Sequence, residues 1–288
     1  MSLSIGIVGL PNVGKSTLFK ALTKRQVEIA NYPFTTIEPN TAVVAVPDEN
    51  LEELSRLFKP DKTTPATIEF IDIAGLVKEA HLGKGLGNQF LAKIRETNLL
   101  VEVVRVFEDK NVPHVEEFID PQRDIEIIAK ELKEANIEKP VIYVFNISAN
   151  SDFQIPKEYP GLAIPLKEEM EISELSNEEK EELGIKTSGL LGDLIKLCYQ
   201  KLGLITFYTV KGGKEVRATK IKKGTKILNA AEKIHSDFKE KFIKAEVVNC
   251  QDLLKVGGWH QAREKGLIRT EGKEYIVQDK DVIEIKHY

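Results

Sequence analysis

The sequence predicts an α/β protein. A mostly parallel sheet flanked by helices fills the first two thirds of the chain, and a smaller strand-rich domain fills the rest. Three observations lead there. From the N-terminus to about residue 202, short β-rich apolar runs alternate with stretches of helical periodicity, the pattern of strands joined by crossover helices. A glycine-containing loop, Gly9 to Ser16, separates the first run from the first helical stretch. After Gly203 the strand patterns become closely spaced around one helical segment.

Taken in order, Ser4–Val8 is the expected first strand and Lys15–Thr23 the helix after it. Thr41–Val46 and Thr67–Asp72 read as the next strands, and Leu99–Val106 and Val141–Phe145 as buried ones. Asp120-Pro121 is an N-cap with proline at the first helical position. It predicts a helix from about Gln122 to Ala135, with Ile125, Ile128 and Leu132 on one face. The acidic stretch from Lys167 to Gly184 contains Ser176-Asn177-Glu178-Glu179, a capping-box pattern, and reads as an exposed helix. A helix from about Gly189 to Leu202 closes a first domain of residues 1–202, leaving 203–288 as the second.

In that second domain, Ile205–Val210 and Val216–Thr219 flank Lys211-Gly212-Gly213, a hairpin signal. Thr225–His235 follows as a helix. Strands are expected near Ala245–Val248, Tyr275–Val277 and Val282–Ile285, with Asp279-Lys280-Asp281 as the last turn. Strands wrapped around one helix suggest a small β-grasp module.

Of the 288 residues, 42% are hydrophobic and 30% charged, the balance of an ordinary globular protein. No apolar run approaches the ~20 residues that span a bilayer. The N-terminus has no basic segment or cleavage site of a signal peptide. Cys198 and Cys250 stand far apart without metal-ligand spacing, so reduced thiols in a cytoplasmic, non-membrane protein are expected. The net charge of −4 hides an asymmetry. Residues 203–288 hold 18 Lys/Arg against 12 Asp/Glu, a balance of +6, and the remainder carries −10. A basic module on an acidic body favours a polyanionic partner such as RNA, and a solvated surface with unequal lysines is the plain alternative.

Gly9-Leu10-Pro11-Asn12-Val13-Gly14-Lys15-Ser16 matches G-x-x-x-x-G-K-[ST] between a strand and a helix, which makes the first domain a P-loop domain of the G type. The loop curls so that main-chain N–H groups face phosphates at a helix N-terminus. Lys15 is expected on the β- and γ-phosphates, and Ser16 on Mg²⁺, with Asn12, Val13, Gly14 and Thr17 completing the cradle. Asp72-Ile73-Ala74-Gly75 ends a strand as D-x-x-G, with Asp72 expected in the Mg²⁺ shell and the Gly75 N–H at the γ-phosphate. Thr36, with Thr35 beside it, is the expected second hydroxyl on the metal.

Guanine-selective G domains use N-K-x-D after a buried strand. Here that strand is followed by Asn146-Ile147-Ser148-Ala149, so no aspartate is placed to accept from guanine N1 and N2. An asparagine amide can pair with adenine N6 and N7, so Asn146 and Ile147 are expected at an adenine and ATP is favoured over GTP. Asp152, three positions on, keeps guanine open as the alternative. Leu76 occupies the position of the water-orienting glutamine that follows D-x-x-G. His81, beside the glycine-rich run 83–87, and His114, in the loop after a buried strand, are the candidates to place a water instead.

Together these residues carry a resemblance to the Obg-like ATPases of the YchF type, within the translation-factor-related P-loop GTPases. The matching runs include Gly6–Thr17, Asn31–Asn40, Asp72–Val77, Gly85–Asn88, Val104–Phe107, Asp120–Glu126 and Gly203–Phe207. Ile234–Phe238 and Glu271–Tyr275 look like that family's TGS domain, and the match runs nearly end to end. The resemblance implies ATP hydrolysis with relaxed nucleotide choice, a hydrophobic residue in place of the catalytic glutamine, and association with ribosomes. It raises His114, with Lys15, as a catalytic residue. Asn12 matches the P-loop asparagine of potassium-stimulated relatives, so K⁺ joins Mg²⁺ as a candidate cofactor. The chain departs from the family's pattern in four places. Most of the helical coiled-coil insertion expected between about Leu132 and Lys139 is absent, shortening the region 107–139. Ala149 stands where the family has an acidic residue, Glu79 where it has a small one, and Thr219 where it has an aromatic.

The function expected is a Mg²⁺-dependent ATPase switch on the translation machinery, with ribosome or RNA held by the basic C-terminal domain and no DNA partner. Arg217, Lys220, Lys222 and Lys223 are the suspected contacts. An Obg-type GTPase is the rival in the same class. A nucleotide-gated RNA- or ribosome-binding module with negligible turnover is the rival in another.

Overall fold

The computed structural model describes residues 3–26, 40–73, 86–115, 118–185 and 189–288. Along the chain the elements are β1 (Ser4–Val8), α1 (Lys15–Thr23), β2 (Thr41–Ala45), α2 (Glu49–Phe58), β3 (Lys62–Thr64) and β4 (Thr67–Asp72). They continue with α3 (Leu86–Glu96), β5 (Leu99–Arg105), α4 (Pro121–Glu134), β6 (Val141–Asn146), β7 (Gly161–Ile164), α5 (Leu166–Glu174), α6 (Asn177–Glu182) and α7 (Leu190–Lys201). The C-terminal part holds β8 (Leu204–Lys211), β9 (Glu215–Lys222), α8 (Ile227–Ile234), β10 (Phe242–Asn249), α9 (Cys250–Val256), α10 (Trp259–Glu264), β11 (Arg269–Glu271) and β12 (Asp281–His287).

Two compact units form, one from residues 1–45 and 68–201, the other from 46–67 and 202–288. In the first, the sheet order is β2-β4-β1-β5-β6-β7, and the pairs from β4 through β7 are parallel. Every residue of β1 and β5 is buried, which is why both read as continuous apolar runs rather than alternating ones. Each large aliphatic side chain so buried contributes about 1.5–3 kcal/mol. α4 starts as its sequence predicts: Asp120 accepts from the Arg123 N–H at 3.1 Å, with Pro121 at the first position. It stops at a Schellman motif. The Asn136 N–H bonds the Lys133 carbonyl and the Ile137 N–H bonds the Leu132 carbonyl at 2.9 Å, with Asn136 left-handed at φ 52°. The acidic stretch forms two helices, not one, because Leu175 turns extended between them. The capping box Ser176–Glu179 then starts α6, with bonds of 3.2 and 2.7 Å.

The second unit takes residues 46–67 from within the predicted first domain. β3 pairs in parallel with β9, from Lys62 opposite Glu215 to Thr64 opposite Arg217, and the Thr64 hydroxyl donates to Glu215 at 2.7 Å. Asp48 caps α2 and accepts from the buried Tyr208 hydroxyl on both carboxylate oxygens at 2.9 Å. These partners lie some 150 residues away in the sequence, so local pattern gives no hint of them. The sheet order is β11-β10-β12-β8-β9-β3 over a core that includes Phe207, Ile227, Phe242 and Val247. The strand expected at Tyr275–Val277 is absent. That segment makes an isolated bridge, Ile276 to Lys226, and bonds the main chain beside the start of α8, while the third partner of the sheet comes earlier, at β11. Both cysteines are free and buried. No helix among the described residues is long and apolar enough to cross a membrane.

Candidate nucleotide site

A cleft of about 590 Å³ opens at the C-terminal ends of β1, β5 and β6, where parallel sheets place ligands. Asn12, Gly14, Lys15, Ser16 and Thr17 line one end. Gly14 sits at φ +108°, and a Cβ there would lie 2.4 Å from the Asn146 amide nitrogen. Gly9, at φ +152°, passes within 2.6 Å of the Val103 carbonyl in the same sense, so both ends of the loop demand glycine. No side chain caps α1, so the N–H groups of its first turn remain for an anion. Lys15 Nζ donates to the Leu10 carbonyl at 2.7 Å. Burial pushes its ammonium down to about 8, opposed by the nearby Asp72 carboxylate. Asp72 is in turn raised by burial, against the pull of Lys15.

A hydroxyl and a carboxylate of this kind suit Mg²⁺, a hard cation that keeps waters and takes phosphate oxygens beside one or two protein ligands. Ser16 lines the cleft, and Asp72 is electrostatically coupled to the P-loop lysine. Among the described residues no group of three or more His, Cys, Asp or Glu could hold a metal ion by itself.

The other end is lined by Asn146, Ile147, Ser148, Lys167, Glu168 and Met170. Asn146, expected at an adenine, also bonds the protein itself. Its Nδ2 donates to the Val13 carbonyl at 2.9 Å and its Oδ1 accepts from the Leu166 N–H at 3.3 Å, with the residue buried. These bonds use one N–H and one lone pair of the amide and tie the P-loop to the start of α5, while Asn146 still lines the cleft. Asp152 is exposed and does not line the cleft, whereas Glu108, Asp109 and Glu168 do.

Phe107, Glu108, Asp109 and Val112 form a third wall. This loop is pinned by Arg105, whose guanidinium donates to the carbonyls of Phe107, Val112 and Asp109 at 3.1, 3.0 and 3.2 Å and stacks over the Phe107 ring. Asn12 of the P-loop donates to the Pro113 carbonyl at 3.2 Å, joining the two walls. The next residue, His114, turns its ring onto α4, with Nε2 2.9 Å from Asp124 Oδ2.

Residues 4–147 match the family described as 50S ribosome-binding GTPase, and residues 204–288 match the YchF GTPase C-terminal family, described as a protein of unknown function. The chain is 41% identical to the Ribosome-binding ATPase YchF of Bacillus subtilis and 40% to that of Mycoplasma genitalium, each alignment covering 99% of both proteins. Its structure superposes on that of the Schizosaccharomyces pombe YchF GTPase with a TM-score of 0.82, at 31% identity over 99% of this chain and 98% of the other.

The chain belongs to the YchF family.

The Bacillus alignment runs over 365 positions against 288 residues here, so at least 77 positions of that YchF protein have no counterpart in this one. Of the residues expected at the site, the structure gathers Asn12, Gly14, Lys15, Ser16, Thr17, Asn146 and Ile147 around the cleft, with Val13 held beneath it by Asn146. Thr35, Thr36, Gly75, Leu76 and His81 lie outside the described residues. His114 does not line the cleft; its side chain is 3% exposed against Asp124. Arg105 and Glu102 escaped the sequence reading as working residues. Their signal was there, since two charged residues stand in an otherwise apolar buried strand, Leu99–Arg105.

Proposed function

We propose that this YchF-family chain is a Mg²⁺-dependent nucleoside triphosphatase that hydrolyses ATP, accepts GTP more weakly, and associates with the ribosome. The observation carrying this is the cleft itself. It has a glycine-shaped, uncapped helix N-terminus and a lysine whose ammonium burial lowers to about 8 at one end, and no aspartate placed for guanine at the other. The names of the relatives, ribosome-binding ATPases, support the same reading. Lys15 would meet the β- and γ-phosphates, Ser16 and Asp72 would hold Mg²⁺ with Thr36, and Gly75 would sense the γ-group. Bound Mg²⁺ would supply positive charge against the charge that develops on the terminal phosphates. With Leu76 unable to orient water, His114, at the end of the loop that walls the cleft, takes that part. K⁺ stimulation through Asn12 is tested by comparing rates in NaCl and KCl, and equal rates remove it.

We place the positions missing relative to the longer relatives between α4 and β6, where the Schellman cap leaves a six-residue link, 135–140, in place of an inserted arm. Ribosome contact then falls to the second unit. Within β9 and its turn, Arg217 is paired with Glu215 at 2.9 Å and Lys220 donates to the Thr67 carbonyl at 2.6 Å. Exposed Lys222 and Lys223 are therefore the better candidates. Such an enzyme would work in the cytoplasm.

Equilibrium binding of Mg-ATP and Mg-GTP to the purified chain is the test. Tighter ATP binding with Mg²⁺-dependent phosphate release supports the proposal. Tenfold tighter GTP binding would favour the GTPase reading. Ribosome cosedimentation with background hydrolysis would favour the binding module. Reversing the charges of Lys222 and Lys223 should weaken cosedimentation, and no change there refutes the assigned surface.

A further inference from the structure

His114 ends a stretch that begins as a wall of the cleft. Two residues of chain span at most ~7 Å, so His114 stays within that reach of the lining Val112. Its ring faces inward. Nε2 lies 2.9 Å from Asp124 Oδ2, and both side chains are 3% exposed. The other Asp124 oxygen, Oδ1, is 3.0 Å from the Arg123 guanidinium. Glu102 on β5 is wholly buried, and its Oε1 has no hydrogen-bond partner among the described residues. Burial first, and the charge of Asp124 second, push its carboxyl well above the usual carboxylate range.

Two neighbouring buried carboxyls do not both ionise readily. Asp124 has a partner on each oxygen, a guanidinium and an imidazole, and burial favours the neutral form of Glu102. An ionised Asp124 can only accept, so the His114 nitrogen facing it carries a hydrogen. We propose that Asp124 is the positioning residue of the hydrolysis step: its carboxylate fixes the proton of His114 on Nε2 and holds the ring in one orientation. The inference rests on the reading of His114 as a participant in hydrolysis. A carboxylate that merely anchored the loop would be replaced without kinetic cost by asparagine, which keeps the shape and can still bond the ring. A carboxylate that fixes the tautomer would not, because an asparagine amide can donate to the ring and select the opposite form.

The test uses the full chain with Asp124→Asn, Asp124→Glu and His114→Ala. Asp124→Asn should lower kcat for Mg-ATP by at least ~10²-fold with KM within ~3-fold, and Asp124→Glu should recover part of the loss. Long-range ¹H–¹⁵N spectra of the histidine ring should show His114 protonated at Nε2 in the unmodified protein and lose that signature in Asp124→Asn. Unchanged kcat in Asp124→Asn, with turnover lost in His114→Ala, overturns the positioning role and leaves the His114 reading standing. Unchanged kcat in His114→Ala overturns both. A wild-type spectrum with the proton on Nδ1 alone overturns the proposal without any variant, so it is decided even if Asp124→Asn does not fold.

Discussion

At the phosphate end of the cleft the recognising groups are main-chain amides and one lysine. At the opposite end they are side chains drawn from two segments, 146–148 and 167–170, with Asn146 locking the first to the start of α5. The phosphate end can be specified by a handful of consecutive residues, because curling a backbone around an anion needs only glycines at the right places and a helix start behind them. The base end has no such economy. Its shape depends on a bond between Asn146 and Val13, 133 positions apart in the chain, and its selectivity depends on side chains the two segments bring together. Binding strength and base choice are thus separable properties of one cleft.

Lys15→Ala should break the phosphate end most severely. Removing the lysine deletes charge-assisted bonds to phosphates whose charge shifts in the transition state, so kcat/KM for ATP should fall by at least ~10²-fold while the fold survives. Steady-state phosphate release with a thermal melt alongside checks both halves. A loss below tenfold would mean the lysine is not on the reacting phosphates.

Gly14→Ala comes next. The new Cβ would lie 2.4 Å from the Asn146 amide at a backbone angle that L-residues rarely adopt, so the cost is roughly 2–3 kcal/mol, shared between stability and nucleotide affinity. Calorimetric titration with Mg-ATP and a melting curve would divide the two. A variant unchanged in both would show that the loop shape is not what holds the ligand.

Asn146→Ala sharpens the contrast between the ends. It leaves the Val13 carbonyl and the Leu166 N–H without their partner, a cost of about 1–3 kcal/mol. Because both bonds shape the cleft for either nucleotide, ATP and GTP affinities should fall by the same factor, on the order of tenfold. A change of more than about threefold in the ratio of the two dissociation constants would put Asn146 on the base.

That result bears on what the sequence could reveal. The P-loop, β1, α1 and the N-terminus of α4 are written in contiguous residues, and each was legible to the residue or nearly so. Asn146 is legible as important while its bonds to Val13 and Leu166 are not, since a buried strand end followed by asparagine looks alike whether its amide faces a purine or a carbonyl. The segment 46–67 was misassigned because its partners, Glu215 and Tyr208, sit across the chain, and pairing at that distance leaves no local periodicity. The strand expected at Tyr275–Val277 failed for a related reason: its apolar residues are consumed beside α8 rather than along a ladder. His114 is legible from its loop as one of two candidate histidines and raised by resemblance, whereas its partner Asp124 lies in a matched run without any sign of pairing.

The smallest effect concerns pH and the same lysine. In the free protein burial lowers the Lys15 ammonium to about 8 from 10.5, so above pH 8 it is increasingly neutral. A bound triphosphate restores the proton, and binding at pH 9 should therefore take up close to one proton per site. Affinity should weaken by up to tenfold between pH 8 and 9. Stability of the ligand-free protein runs the other way. The unfolded chain holds this proton up to 10.5, so between 8 and 10.5 it binds more protons than the folded state, and folding is favoured as pH rises through that window. Other lysines and tyrosines titrate there too, so the informative quantity is the difference between wild type and Lys15→Met, which lacks both slopes. Titration calorimetry at pH 9 in two buffers of different ionisation enthalpy reads the proton directly. If none is taken up, Lys15 is charged before the nucleotide arrives, and the phosphate end owes nothing to desolvation of its lysine.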